Sequence, residues 1–210
     1  MKKRRAFLRA TALTTFLIAP AITPARDATR LALHAGLNVS KFERYASDVD
    51  PKLGFSIGPS VVYGITDRLG IQAELLYTQK GGRLTSSWWI KYSIDRKISF
   101  YTAPDPVDVS LGYLELPLLA RLALPGTEWL RPYVVLGPAA AVQIDGGPTP
   151  AFLLSQYRKA DINLVFGAGA AFSLGRHYFY VGARHSRGLT EVSEDWGRNV
   201  AWALEVGYGL

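Results

Sequence analysis

AWALEVGYGL, residues 201–210, is the stretch that decides the fold. Trp202, Leu204, Val206, Tyr208 and Leu210 fall on one face of an extended chain, and Ala201, Ala203, Glu205, Gly207 and Gly209 on the other. Side chains alternate sides along a strand, so a period of two marks a strand whose two faces meet different surroundings. One face here is bulky and apolar. The other is small, with a single carboxylate.

Working back toward the N-terminus, the alternation recurs seven times. Leu31 to Val39, Leu53 to Tyr63, Leu69 to Thr78 and Leu114 to Leu122 show it, and Tyr133 to Ile144 shows it less regularly. Asp161 to Phe172 and Phe179 to Arg184 complete the set. Eight strands of about ten residues match the length of a tilted membrane-spanning strand. Their connections alternate in length. Ile65 to Arg68, Pro125 to Leu130 and Gly175 to His177 are short, whereas Lys41 to Lys52, Lys80 to Leu111, Asp145 to Ala160 and Arg187 to Asn199 are long. The expected fold is all-β: an eight-stranded antiparallel up-and-down transmembrane β-barrel with short periplasmic turns and longer external loops.

Alternation alone does not say which face is outside. A soluble barrel of the lipocalin type would put the apolar face inward. The face opposite the bulky residues is mostly Gly, Ala and Ser with hardly any Lys, which suits a cramped interior better than a water-facing exterior. Tyr63, Tyr77, Trp202 and Tyr208 on the apolar face are candidates for interfacial girdles.

Cysteine is absent, which excludes disulfides, thiolate metal sites and a lipoprotein anchor. No run of 18 apolar residues offers a transmembrane helix. Residues 1–25 read as a signal peptide. Lys2 to Arg5 form its basic start, Ala10 to Ile22 its apolar stretch, and the expected cleavage is near Ala21 or Ala25. The barrel domain is then 26–210. Arg4-Arg5 resembles a twin-arginine export signal, but that route carries folded proteins, so the general secretory route is expected. The leader holds five basic residues, and its removal lowers the net charge from +7 to +2. The high pI is therefore partly a targeting feature, and no nucleic-acid partner is expected.

Within these strands the chain resembles the PorT-type outer-membrane β-barrel proteins. The resemblance is carried by HAGLNVSKF (34–42), LGFSIGPSVVYGITDRLGIQAELLYTQKGGR (53–83), GYLELPLLARLAL (112–124), PYVVLGPAAA (132–141) and DINLVFGAGAAFSLGRHYFYVGARHSRGLTEV (161–192). It implies an eight-stranded barrel in the cell outer membrane, for which some relatives serve protein secretion. It does not imply one activity. Such barrels usually end in Phe or Trp, and Tyr208-Gly209-Leu210 departs from that pattern, so assembly is expected to rest on Tyr208 or Leu210 or to be inefficient.

Glu74, Glu115, Arg121, Arg184 and Glu205 fall on the expected inner face, with His34, Gln72, Asp161 and Asn163. Charges in a narrow lumen must pair or stay hydrated. A salt-bridge network that fills the interior is expected ahead of an ion pathway, because eight strands leave an interior just filled by side chains. A lipid hydrolase would need His185 and Ser186 on one face, yet neighbours on a strand point to opposite faces. The chain is therefore read as a non-enzyme without cofactor or metal. In the long connection Lys80 to Leu111, Trp88, Trp89, Tyr92, Arg96, Lys97 and Tyr101 offer an aromatic and basic binding surface or, equally, a hairpin packing its own rings. Glu191, Glu194, Asp195 and Trp196 in the last loop are placed to face it. The expected partners are outer-membrane lipid and envelope or secretion proteins, met through these loops. A small transport or sensing barrel that uses the charged lumen is the alternative.

Overall fold

The computed structural model describes residues 29–43, 49–84, 89–94, 97–102, 107–146, 159–191 and 197–209. The expected leader, 1–25, lies outside the described residues, as do Trp88, Arg96, Glu194, Asp195, Trp196 and Leu210. The described residues form eleven strands: β1 (Thr29–Glu43), β2 (Val49–Gly64), β3 (Leu69–Glu74), β4 (Leu76–Leu84), β5 (Trp89–Ile94), β6 (Lys97–Thr102), β7 (Val107–Ala123), β8 (Leu130–Asp145), β9 (Ala160–Leu174), β10 (His177–Gly188) and β11 (Arg198–Gly209). β3 and β4 are two halves of one barrel strand parted at Leu75, and β5 and β6 form a hairpin of their own. Eight antiparallel strands remain and close into a ring, because β1 pairs with both β2 and β11. Full closure leaves no sheet edge, which a spanning sheet in lipid requires.

The two faces sort as the alternation implies. Leu37 and Leu204 expose 62% and 71% of their surface on the outside, and the inward neighbours Asn38 and Glu205 are buried. A soluble barrel of the opposite polarity is excluded by this sorting. The lumen differs from expectation in one respect: it is not lined chiefly by small residues. Tyr113, Tyr133, Tyr178 and Tyr180 point inward with Leu111 and Leu119. Glycines make room for the rings. A Cβ on Gly207 would overlap the Tyr180 ring, and one on Gly169 would lie 2.6 Å from the Tyr133 hydroxyl oxygen. Large residues set against small ones fill a narrow barrel.

The interruption at Leu75 has a chemical cause. The pairing register places it opposite Pro59 of β2 and beside Pro117 of β7. Proline has no N–H to give to a ladder, so both neighbouring ladders lose a donor there. One bond survives, from Leu75 N to Pro59 O at 3.0 Å. The β7–β8 ladder also skips Leu118 and Leu119, opposite Gly137 and Pro138.

Short connections close one end. Thr66 and Thr127 fasten two of them in the same way, their hydroxyl oxygens accepting from Leu69 N (2.9 Å) and Leu130 N (3.1 Å). In the third, Gly175 supplies a φ of 62° that other residues resist. This end also carries exposed aromatics: Tyr63, Trp129, Phe179 and Tyr208, the last stacked on His177. Trp202 and Tyr77 lie farther up the wall: Trp202 clusters with Phe166 and His185, and Tyr77 is half-buried against Phe55.

Strands at the opposite end outrun their expected bounds. Lys80 and Leu111, taken as the ends of a loop, pair with each other inside the wall, and the β4–β7 ladder continues to Leu84 and Val107. The run Lys80-Gly81-Gly82-Arg83 resembles a loop in composition, but its partner strand supplies the apolar inward residues Val109 and Leu111. Beyond it, β5 and β6 pair from Trp89↔Thr102 to Ile94↔Lys97. Of the residues expected to form a loop surface, Trp89 and Tyr92 lie on β5, and Lys97 and Tyr101 on β6.

Candidate functional site

Mid-lumen, β3, β10 and β11 bring three charged side chains together. Arg184 donates to both oxygens of Glu74 at 2.7 and 2.9 Å and to Glu205 at 3.2 Å, with its Nε 2.9 Å from the second Glu205 oxygen. Gln72, two residues before Glu74 and so on the same face, extends the set. Its amide nitrogen donates to Glu74 at 2.5 Å, and its carbonyl accepts from Arg121 at 2.6 Å. The chain of contacts runs Arg121, Gln72, Glu74, Arg184, Glu205. Two guanidinium groups face two carboxylates, so the set is neutral. That balance is what makes burial of four charges tolerable.

An aromatic layer lies against this set. The Arg121 guanidinium sits 3.5 Å from the centre of the Tyr133 ring, which meets Tyr180 edge-on at 6.4 Å. The Tyr180 hydroxyl hydrogen-bonds with His34 Nδ1 at 3.0 Å, and the other ring nitrogen of His34 reaches Ser56 at 3.3 Å. Cation–π contact and hydrogen bonds join the charged and aromatic layers into one plug.

Glu115, expected in the same network, is held elsewhere. It takes Lys80 at 2.5 Å, on the long-loop side of the plug. Lys80 was assigned to a loop on sequence grounds, which hid this pair. Nearer the long loops, Asp161 accepts from Thr190 at 2.5 Å and from Asn199 at 3.4 Å, and Asn199 also donates to Tyr113 at 3.4 Å. Asn163 is buried facing inward.

Two cavities flank the plug and share no lining residue. The one toward the long loops, beside Asn38, Thr78 and Lys80, holds about 40 Å³, space for one water at about 30 Å³ each. The one at the short-turn mouth holds about 110 Å³. Between them the described lumen is filled by buried side chains, Glu74, Arg184, Tyr133 and Tyr180 among them.

His185 and Ser186 lie on opposite sides of the wall. The His185 ring packs outside, 4.3 Å from the Trp202 ring centre, while Ser186 lines the inner cavity beside Lys80. A nucleophile and base must share a hydrogen bond, and these two do not.

A family model described as an outer membrane protein beta-barrel domain matches residues 25–194. No curated protein matches the sequence. Among solved structures, the outer membrane protein OprG from Pseudomonas aeruginosa aligns over 87% of this chain and 94% of its own, with a TM-score of 0.53 and 11% identity. Neisserial surface protein A aligns over 87% and 97%, with a TM-score of 0.50 and 16% identity. At such identities the likeness speaks to the fold alone.

Proposed function

The chain belongs to the outer membrane protein beta-barrel domain family, whose place is the outer membrane, and from that premise we propose that it is a non-catalytic barrel acting as a membrane anchor or as a component of an envelope or secretion assembly, with its external loops as the working surface. One observation carries the reading: the middle of the lumen is filled by the buried Glu74–Arg184–Glu205 set and the tyrosines beside it. A barrel filled in this way has only its ends and its lipid face to offer. The long-loop end is the richer of the two, since β4 and β7 continue into a connection that holds the β5–β6 hairpin. The resemblance to PorT-type barrels belongs to this reading and points to secretion proteins among the partners, beside outer-membrane lipid. Residues 1–25 act in it as the leader removed on export. Against a lipid hydrolase stands the placement of His185 and Ser186 on opposite faces.

The test joins two measurements. In planar bilayers the purified barrel gives no steady conductance. In cells, a photo-crosslinking residue at Trp89 or Tyr101 gives discrete protein adducts, and one at lipid-facing Leu37 gives none. Steady channels from the unaltered protein would sink the reading and favour the second one, a small transport or sensing barrel. Charged residues lining cavities on both sides of the plug are what favour that alternative.

A further inference from the structure

The short-turn mouth of the barrel is ringed by arginines. Its cavity of about 110 Å³ is lined by Arg30, Arg68, Arg121 and Arg131, with Asp67 as its one carboxylate. Arg121 forms the floor. It is held by Gln72 and Tyr133, and a guanidinium has five N–H donors, of which the Gln72 contact takes one. Its charge is balanced inside the plug, so the surplus lies at the rim. Neither Arg68 nor Arg131 has a carboxylate within ion-pair distance among the described residues. Arg30 is fixed as a wall, donating to Ser173 at 3.0 Å and lying 4.7 Å from the Tyr178 ring centre.

We infer that this mouth binds a phosphate-class oxyanion, with the guanidinium groups of Arg121, Arg30, Arg68 and Arg131 converging on its oxygens. Guanidinium is the side chain whose planar fork matches phosphate oxygens in pairs. A single carboxylate ligand could engage one fork; four arginines around one small cavity suit an anion with three or more oxygens. The cavity is large enough for it, at nearly four times the volume of a water molecule, about 30 Å³. A second cavity on the rim shares Arg30 and Arg131 and adds Arg176 and His177, with Glu128 as its one carboxylate. His177 stacks on outward-facing Tyr208, so the basic surface runs from the lumen to the lipid boundary. The phosphate therefore has two sources, a free phosphate from the periplasmic side or the headgroup of an anionic phospholipid at the rim.

The experiment is calorimetric titration of inorganic phosphate into the intact barrel in non-ionic detergent, at constant ionic strength with chloride as the blank. Saturable binding near one per barrel is expected. Arg121→Gln weakens it by about thirty-fold or more, the effect of removing one partner of a buried charge contact. Since Arg121→Gln risks the fold, exposed Arg131→Gln is the second variant and also weakens binding, while Arg198→Gln at the far end does not. Repeating the titration in nanodiscs assigns the source. If phosphatidylglycerol discs suppress phosphate binding relative to phosphatidylcholine discs, the headgroup occupies the site; if both discs bind alike, free phosphate does. Non-saturating heat matched by chloride overturns the proposal, and so does wild-type affinity in folded Arg121→Gln and Arg131→Gln.

Discussion

Arg184→Ala removes one guanidinium and leaves two carboxylates facing each other inside the barrel. Glu74 keeps the donor from Gln72, whereas Glu205 keeps no donor among the described residues. The three side chains are 8%, 0% and 2% exposed, so solvent cannot screen the loss. Breaking a buried pair from one side costs about 3–5 kcal/mol, a shift of roughly two to four powers of ten in the unfolding equilibrium at about 1.4 kcal/mol each. The barrel has its own control. Arg187 and Glu43 meet at 2.8 Å, nearly the same distance, but both are about half exposed. A pair of that kind contributes about 0–1 kcal/mol. Reversible urea unfolding in detergent micelles, followed by tryptophan fluorescence, therefore separates Arg184→Ala from Arg187→Ala by several kcal/mol. Adding Glu205→Gln to an Arg184→Met variant recovers much of the loss, because Arg121 and Glu74 then still balance and the carboxylate without a donor is gone. Equal costs for the two arginines would refute the reasoning, and so would a neutralised double variant no more stable than Arg184→Ala.

Three further outcomes are expected. Leu204→Arg, on the outer face near the middle of β11, costs about 2–4 kcal/mol of stability in lipid vesicles, where Ala203→Ser on the inner face changes stability little. Gly207→Ala places a methyl in the Tyr180 ring and lowers the unfolding midpoint by an amount equivalent to about 1–3 kcal/mol; an unchanged midpoint would show that the ring has room to move. Replacing residues 86–105 by a short Gly-Ser turn leaves a barrel that still resists SDS and shifts its apparent mass on boiling, because among the described residues β5 and β6 pair only with each other.

Alternation was enough to place nearly every wall residue on its side, because a strand allows only two orientations and lipid tolerates only one of them. His34, Gln72, Glu74, Arg121, Arg184 and Glu205 were therefore legible as inward residues. Their pairing was not. Which of them touch depends on the stagger between strands, and that set Glu115 against Lys80 instead of Arg184. Strand ends were the weakest part of the reading. Lys80 to Arg83 have loop composition but are held in the wall by the ladder to β7, a cross-chain effect that local pattern does not contain. The tyrosine filling was half visible: the inner-face glycines signalled a tight space, but not that Tyr133 and Tyr180 occupy it.

Closure between β1 and β11, from Ala32↔Gly209 to Glu43↔Arg198, also governs how mistakes are stored. In an open sheet a slipped strand is a local fault that an edge can absorb. A ring has no such margin. Shifting any one seam by a residue turns the side chains of that strand to the wrong side, and the mismatch must be made up somewhere else around the circumference. The barrel is in this sense its own proofreader: a wrong register cannot be completed, and it remains an unfinished, reactive edge until it is undone.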